Sequence, residues 1–360
     1  MLVKILSMSL LVLSLPAQAF GAVFTMTNRA DGNEVAVALR LPNGALIPFA
    51  EFATGGEGTA MDLGSQGALA LSGNEQWLLS VNPGSDELTL FRRMLGVVLL
   101  QRDVVASGGD MPISVAVNGH LVYVLNAGVP NNVQGFRIHQ QELQPIPGAT
   151  YTLSQADTQP AQVGFDPHGK FLVVTEKATD KIDVFPVQQD GTLGPISVQD
   201  SNGDTPFGFE FDKHGTLIVS EAFDGTPDAS AVSSYELDAS GDLTVITGSA
   251  PTHQTAACWI ATTPGGSFTY STNTGSGSIS GFSVNPAGTL TELDANGQTG
   301  LLGPGGAPID AAFGPLGHVL FVLDSGHDEV TAFWRDATGS LTALPVAWQL
   351  PNGAAGLVVD

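Results

Sequence analysis

The sequence predicts an all-β chain folded as a seven-bladed β-propeller, with four antiparallel strands per blade and a closing blade shared by N- and C-terminal strands. Three observations carry this. A phrase of strand, turn and strand recurs at a spacing of roughly 50 residues. The apolar runs are short and punctuated by 44 Gly and 22 Pro residues spread along the chain, the pattern of many turns joining short strands. The two ends, finally, are each an incomplete unit that the other completes.

In chain order, AVFTMTN (22–28) and EVAVALRLPNGAL (34–46) read as second and third strands with no first strand before them. ALALSGNEQWLLSVNPGSDELTLF (68–91) is a weaker copy of the full phrase, followed by PISVAVNGHLVYVLNAG (112–128) with NNVQGFRI (131–138). PAQVGFDPHGKFLVVTEKATDKIDVFPVQQDGTLGP (160–195) shows the whole frame: an opening Pro, a strand, a turn, a second strand closing on a polar residue, a loop, a third strand, and a Gly-x-Leu approach to a fourth. PFGFEFDKHGTLIVSEAF (206–223), AACWIATTPGGSFTYSTNTGSGSISGFSVNPAGTLTEL (256–293) and PIDAAFGPLGHVLFVLDSGHDEVTAFWRDATGSLTAL (308–344) repeat it. In Asp166-Pro167-His168-Gly169 the Pro and Gly occupy the second and fourth positions of a type I turn. The second strands, such as FLVVT, are apolar throughout, as strands covered on both faces must be. NGAAGLVVD (352–360) has no unit of its own and supplies the missing first strand. Closing the ring in this way leaves no exposed sheet edge between the ends.

Hydrophobic residues at 43% and charged residues at 13% describe a folded globule. With 35 acidic against 12 basic residues the net charge is −23, which repels phosphate backbones and excludes nucleic acid as a partner. MLVKILSMSLLVLSLPAQAF carries Lys4, an apolar run from Ile5 to Leu15, Pro16, and small residues at Ala17 and Ala19. It reads as a bacterial secretory signal over 1–19 cleaved near Ala19, leaving one propeller domain over 20–360 in the periplasm or outside the cell. The run is too short for a membrane span, and no later segment qualifies. Cys258, the sole cysteine, lies between apolar neighbours and reads as a buried small hydrophobe.

The second-strand endings LLSVN, VYVLN, LVVTE, LIVSE, TYSTN and LFVLD resemble the YVTN-type repeats of the lactonase-like seven-bladed propellers, a group that includes bacterial 6-phosphogluconolactonase and the fungal carboxymuconate cyclases. The resemblance covers essentially the whole chain after the leader. It implies a lactone or cyclic-ester reaction at the mouth of the central channel, with carboxylate, His and Arg groups drawn from several blades. Here the blade openings GGDMP, ADTQP, GDTPF and GGAPI lack the His often found near the opening Pro of family members, and only His253 precedes a first strand.

Residues that close second strands share a face with the approaches to first strands. The closing Asn82, Asn126 and Asn273 read as Asx turns, whereas Glu176 and Glu221 replace Asn in adjacent blades. Two neighbouring carboxylates are candidates to raise each other's pKa and serve as a general base. The candidate catalytic residues are therefore Glu176, Glu221, His253 and His327, with Asp110, Asp204, Lys177 and Asp324 as candidate substrate-binding residues. The competing reading makes the two Glu solvated rim charges and the protein a non-catalytic binding or envelope-interaction propeller. No cofactor or metal is called for, the expected ligand is a lactone or a sugar-like molecule, and a monomer is expected.

Overall fold

The computed structural model describes residues 21–360; the leader reading falls on residues outside these. Seven sheets form a ring, each radial, with strand order following the chain from the axis outward. Taking the split sheet as blade 1, the inner strands of blades 2 to 7 are Leu69–Leu71, Pro112–Asn118, Pro160–Phe165, Pro206–Phe211, Ala257–Thr262 and Pro308–Phe313. Among the described residues the only helical pieces are two 3₁₀ turns, Phe223–Gly225 and Thr274–Ser276. Blade 6 has a fifth strand, Gly300–Leu301, which pairs with its third strand beside Leu290–Glu292.

Burial follows from this stacking. The second strands Trp77–Asn82, Phe171–Glu176, Thr216–Glu221 and Val319–Asp324 are buried at every position, because a neighbouring blade covers each face. Outer strands such as Glu142–Thr152 and Leu341–Gln349 are mostly exposed or half-buried. The hairpin turn 166–169 forms as the sequence predicts, with Gly169 N–H donating to the Asp166 carbonyl at 2.9 Å and Gly169 at φ +65°. The Asp166 carboxylate braces the turn by accepting from the N–H groups of His168, Lys170 and Phe171.

Blade 1 closes the ring as expected. Ala355–Val359 is its inner strand and pairs antiparallel with Gly21–Met26, in the register Val23↔Val359, Phe24↔Val358 and Thr25↔Leu357. Asp360 then locks the seam: its carboxylate accepts from Ala22 N–H and pairs with Arg93, and its carbonyl accepts from Arg40 Nε at 2.9 Å.

The topology gives the ring two faces. Second strands end, and first strands begin, on one of them, here the loop face. The first hairpin turns lie on the other, the turn face.

Candidate site at the channel mouth

The residue that closes each second strand is a tether rather than a rim charge. Glu176 and Glu221 are both 0% exposed. The Glu176 carboxylate accepts from Ser154 N–H at 3.0 Å and from the hydroxyls of Ser154 and Thr179. That of Glu221 accepts from Gly203 N–H at 2.9 Å, Ser233 Oγ and Ser249 Oγ. Ser154 and Gly203 lie in the connections arriving from the preceding blades, so each Glu pins an inter-blade loop. Asp324 does the same for blade 7, accepting from Ala307 N–H at 2.7 Å. The closing Asn side chains do not form the Asx turns that the sequence suggests: Asn82 donates to Thr89 Oγ1 on the third strand and accepts from Asn33 of blade 1, Asn273 donates to Ser278 and Ser280, and the Oδ1 atoms of Asn126 and Asn273 are buried without a partner.

Burial pushes the Glu221 carboxyl up, against the hydrogen bonds of Ser233, Ser249 and Gly203. Glu176 has an acidic companion, Asp183, which is fully buried and has neither carboxylate oxygen met by a donor. Burial, and then the hydrogen bond and charge of Glu176, push Asp183 up to about 9. A proton on Asp183 supplies the missing donor, making a carboxylic acid that bonds to a carboxylate. The two glutamates therefore serve separate networks in separate blades.

The histidines are dispersed. His253 is half-exposed and turns toward Glu292 on the outer part of blade 6, with Nε2 3.5 Å from the carboxylate. His327 bridges Asp324 Oδ2 at 2.7 Å and the Pro304 carbonyl at 3.1 Å, and the Asp324 hydrogen bond raises its pKa. Asp110 and Asp204 are exposed, with their carbonyls accepting from Gly128 and Phe223 N–H.

Lys177, the residue after Glu176, is the predicted site residue that reaches the axis. Its Nζ donates to the Gly64 carbonyl at 2.6 Å and lies 4.6 Å from the centroid of the Phe207 ring. Gly64 comes from the connection between blades 1 and 2, Phe207 from blade 5, and the nearby Cys258 from blade 6. Only the channel mouth lets blade 4 meet all three. Burial pushes the ammonium down to about 8, against the pull of Cys258 and Asp62. The Cys258 thiol is pushed up to about 12, chiefly by burial, which leaves it protonated as the sequence reading expects of a buried hydrophobe.

Asp62 and its neighbours are the part the sequence reading missed. The connection 54–68 is much longer than its counterparts 107–111 and 201–205, and it crosses the axis. Trp259 Nε1 donates to the Ser65 carbonyl, Ser65 Oγ to the Ile113 carbonyl, and Gln66 N–H to the Ala161 carbonyl. The Gln66 amide makes a reciprocal pair with the Ile260 backbone at 2.8 and 3.1 Å. Residues 63–66 thus plug the channel, and Asp62 stays exposed at its mouth beside Lys177. The length of the connection was the available signal. Among the described residues no group of three or more His, Cys, Asp or Glu side chains is arranged to hold a metal ion.

The family described as lactonase, 7-bladed beta-propeller, matches residues 131–226 and 222–356, together more than half of the chain. Among curated proteins none matches. Solved structures share the architecture at low identity. A provisionally assigned 6-phosphogluconolactonase from Bacteroides fragilis is 18% identical with a TM-score of 0.76, over 96% of this chain and 99% of that one. The periplasmic gluconolactonase of Pseudomonas aeruginosa is 17% identical with a TM-score of 0.75, over 94% and 98%. At these identities the likeness speaks for the fold alone.

Proposed function

The chain belongs to the lactonase family of seven-bladed β-propellers, and on that premise we propose that it is an exported hydrolase of small lactones acting at the loop-face channel mouth. The observation that carries this is Lys177: one half-buried ammonium at the axis, held against an aromatic ring and a carbonyl, with the exposed carboxylate of Asp62 nearby, one oxygen of which accepts from Gly64 N–H at 3.0 Å. Two of its N–H groups are not used by Gly64, which leaves donors for the carbonyl oxygen of a bound ester. In this reading water adds to the lactone carbonyl and gives its proton to Asp62. The tetrahedral oxyanion is met by the Lys177 ammonium. The ring C–O bond then breaks, and the departing alkoxide recovers the proton from Asp62 to give a hydroxy acid. Export rests on the leader read in the sequence and agrees with the periplasmic setting of the Pseudomonas relative.

The test is hydrolysis of five- and six-membered sugar lactones in a pH-stat. Lys177→Met and Asp62→Asn are each expected to lower kcat/KM by roughly 100-fold, the scale of losing one oxyanion donor or one general base. Because the working form of Lys177 is the ammonium, the enzymatic rate is expected to fall as pH rises through about 8. Unchanged turnover in Lys177→Met refutes the assignment. A second reading, a binding propeller without turnover, is favoured by the plug and by the engagement of Glu176 and Glu221 in loop tethers. Saturable lactone binding with no hydrolysis selects it.

A further inference from the structure

On the turn face, where the inner strands of blades 4, 5 and 6 end, lies a cavity of about 510 Å³ that the channel-mouth reading does not use. Its walls mix aromatic and apolar residues, Phe165, Phe211 and Pro264 among them, with the polar Gln162, Thr262 and Thr263, and its acidic groups are Glu210 and Asp212. Asp212 is 2% exposed, and its Oδ1 accepts from the N–H groups of His214 and Thr216. Its Oδ2 is buried without any partner. The equivalent Asp166 of blade 4 uses both oxygens, so the unmet oxygen distinguishes Asp212 from its blade 4 counterpart. Glu210 accepts from Thr262 N–H at 2.7 Å.

No Lys, Arg or His among the described residues forms an ion pair with either carboxyl. The cation nearest in sequence, Lys213, also lines the cavity and has its stem where a Cβ on Gly266 would meet it. A carboxylate held out of water without a counter-charge is unfavourable and is relieved by a cation.

We propose that this cavity binds a small organic ammonium ion carrying an apolar or aromatic body. Two carboxyl groups supply the counter-charge, phenylalanine faces attract a cation through their quadrupoles, and the cavity is of small-molecule size. The net charge of −23 raises the local concentration of cations. A bare hard divalent ion fits less well, because it demands six or more oxygen ligands and the cavity offers only two carboxyl groups, with no cluster of three or more His, Cys, Asp or Glu among the described residues arranged to hold a metal ion. Binding carries a pH signature. Burial pushes Glu210 up to about 7, opposed by Thr262. The charges around it are Asp212 and Lys213 from its own blade and Asp310 from blade 7; blades 4 and 6 present no titratable side chain to the cavity.

The experiment is calorimetry of the whole protein with benzylammonium, with benzyl alcohol as the neutral counterpart. Benzylammonium is expected to saturate at millimolar or lower concentration, and to tighten by up to roughly tenfold from pH 6 to pH 8 as Glu210 ionises. Glu210→Gln is expected to lose at least about tenfold in affinity together with the pH dependence. Asp212→Asn, which keeps the turn, should weaken binding as well and provides the test if Glu210→Gln fails to fold. Lys177→Met, on the other face, should bind normally. Equal binding of benzyl alcohol, unchanged affinity in both carboxyl variants, loss of binding in Lys177→Met, or no saturation by about 10 mM would each overturn the proposal, whatever the fate of lactone turnover.

Discussion

At the scale of single residues, the pair Glu176 and Asp183 shows how burial sets chemistry. Asp183 lies diagonally across the second and third strands of blade 4 from Glu176, a position filled by Ser233 in blade 5 and Ser280 in blade 6. A serine there donates a hydrogen bond to the closing residue or accepts one from it at no ionic cost. Asp183 donates only while protonated, and its folded pKa of about 9 lies above the unfolded value. The linkage sign follows: the contribution to stability is complete below pH 4 and is lost progressively as pH rises toward 9. Asp183→Asn removes this loss, because an amide donates at every pH. The variant is expected to match wild type near pH 4 and exceed it by at least about 1 kcal/mol at pH 8, the worth of one unit of differential pKa. Denaturant melts at the two pH values check it, and a gain that shrank with pH would show that the pair ionises differently.

At the scale of the element, the plug is the connection with the most to explain. Its energetics sit in Gln66, whose amide completes two backbone hydrogen bonds of Ile260 inside the channel. Blade 5 accommodates it with Gly208, where a Cβ would meet Gln66 Oε1 at 2.1 Å. Gln66→Ala leaves the Ile260 N–H and carbonyl without those partners and is expected to cost about 2–4 kcal/mol. Gly208→Ala should be destabilising for the opposite reason, an atom too many. Thermal melts of both distinguish a built plug from a loose loop: a loose loop leaves both at wild-type stability. The repeating strands and turns were legible because their chemistry is local, as in the Asp166 turn or the apolar FLVVT. The plug was not, because Met61 to Gly67 has no periodicity and its partners lie in blades 3, 4, 5 and 6.

At the scale of the whole molecule, stability depends on closing the ring. Strand Ala355–Val359 covers the inner edge of blade 1 and packs between blades 7 and 2, with Leu357 buried in the shared core. Deleting residues 352–360 exposes a sheet edge and frees Arg40 and Arg93 from Asp360. The expected loss is at least about 4 kcal/mol, comparable to removing two buried aliphatic side chains. A truncated protein that melts with the full-length one would show that closure rests elsewhere.

The seven repeats, their strands and turns, the shared blade, and the position of Lys177 after a second strand are all legible in the amino-acid sequence. Each of these is written in residues close together in the chain, or in two ends that each lack a part. Which polar residues do what emerges only once the blades are packed together. Glu176 and Glu221 look alike as strand endings, yet their roles follow from Ser154, Gly203, Ser233 and Asp183, which reach them through the stacking and pairing of strands. The channel mouth and the turn-face cavity are likewise assembled from several blades, and side chains that meet across a ring leave no spacing in the chain by which to read them.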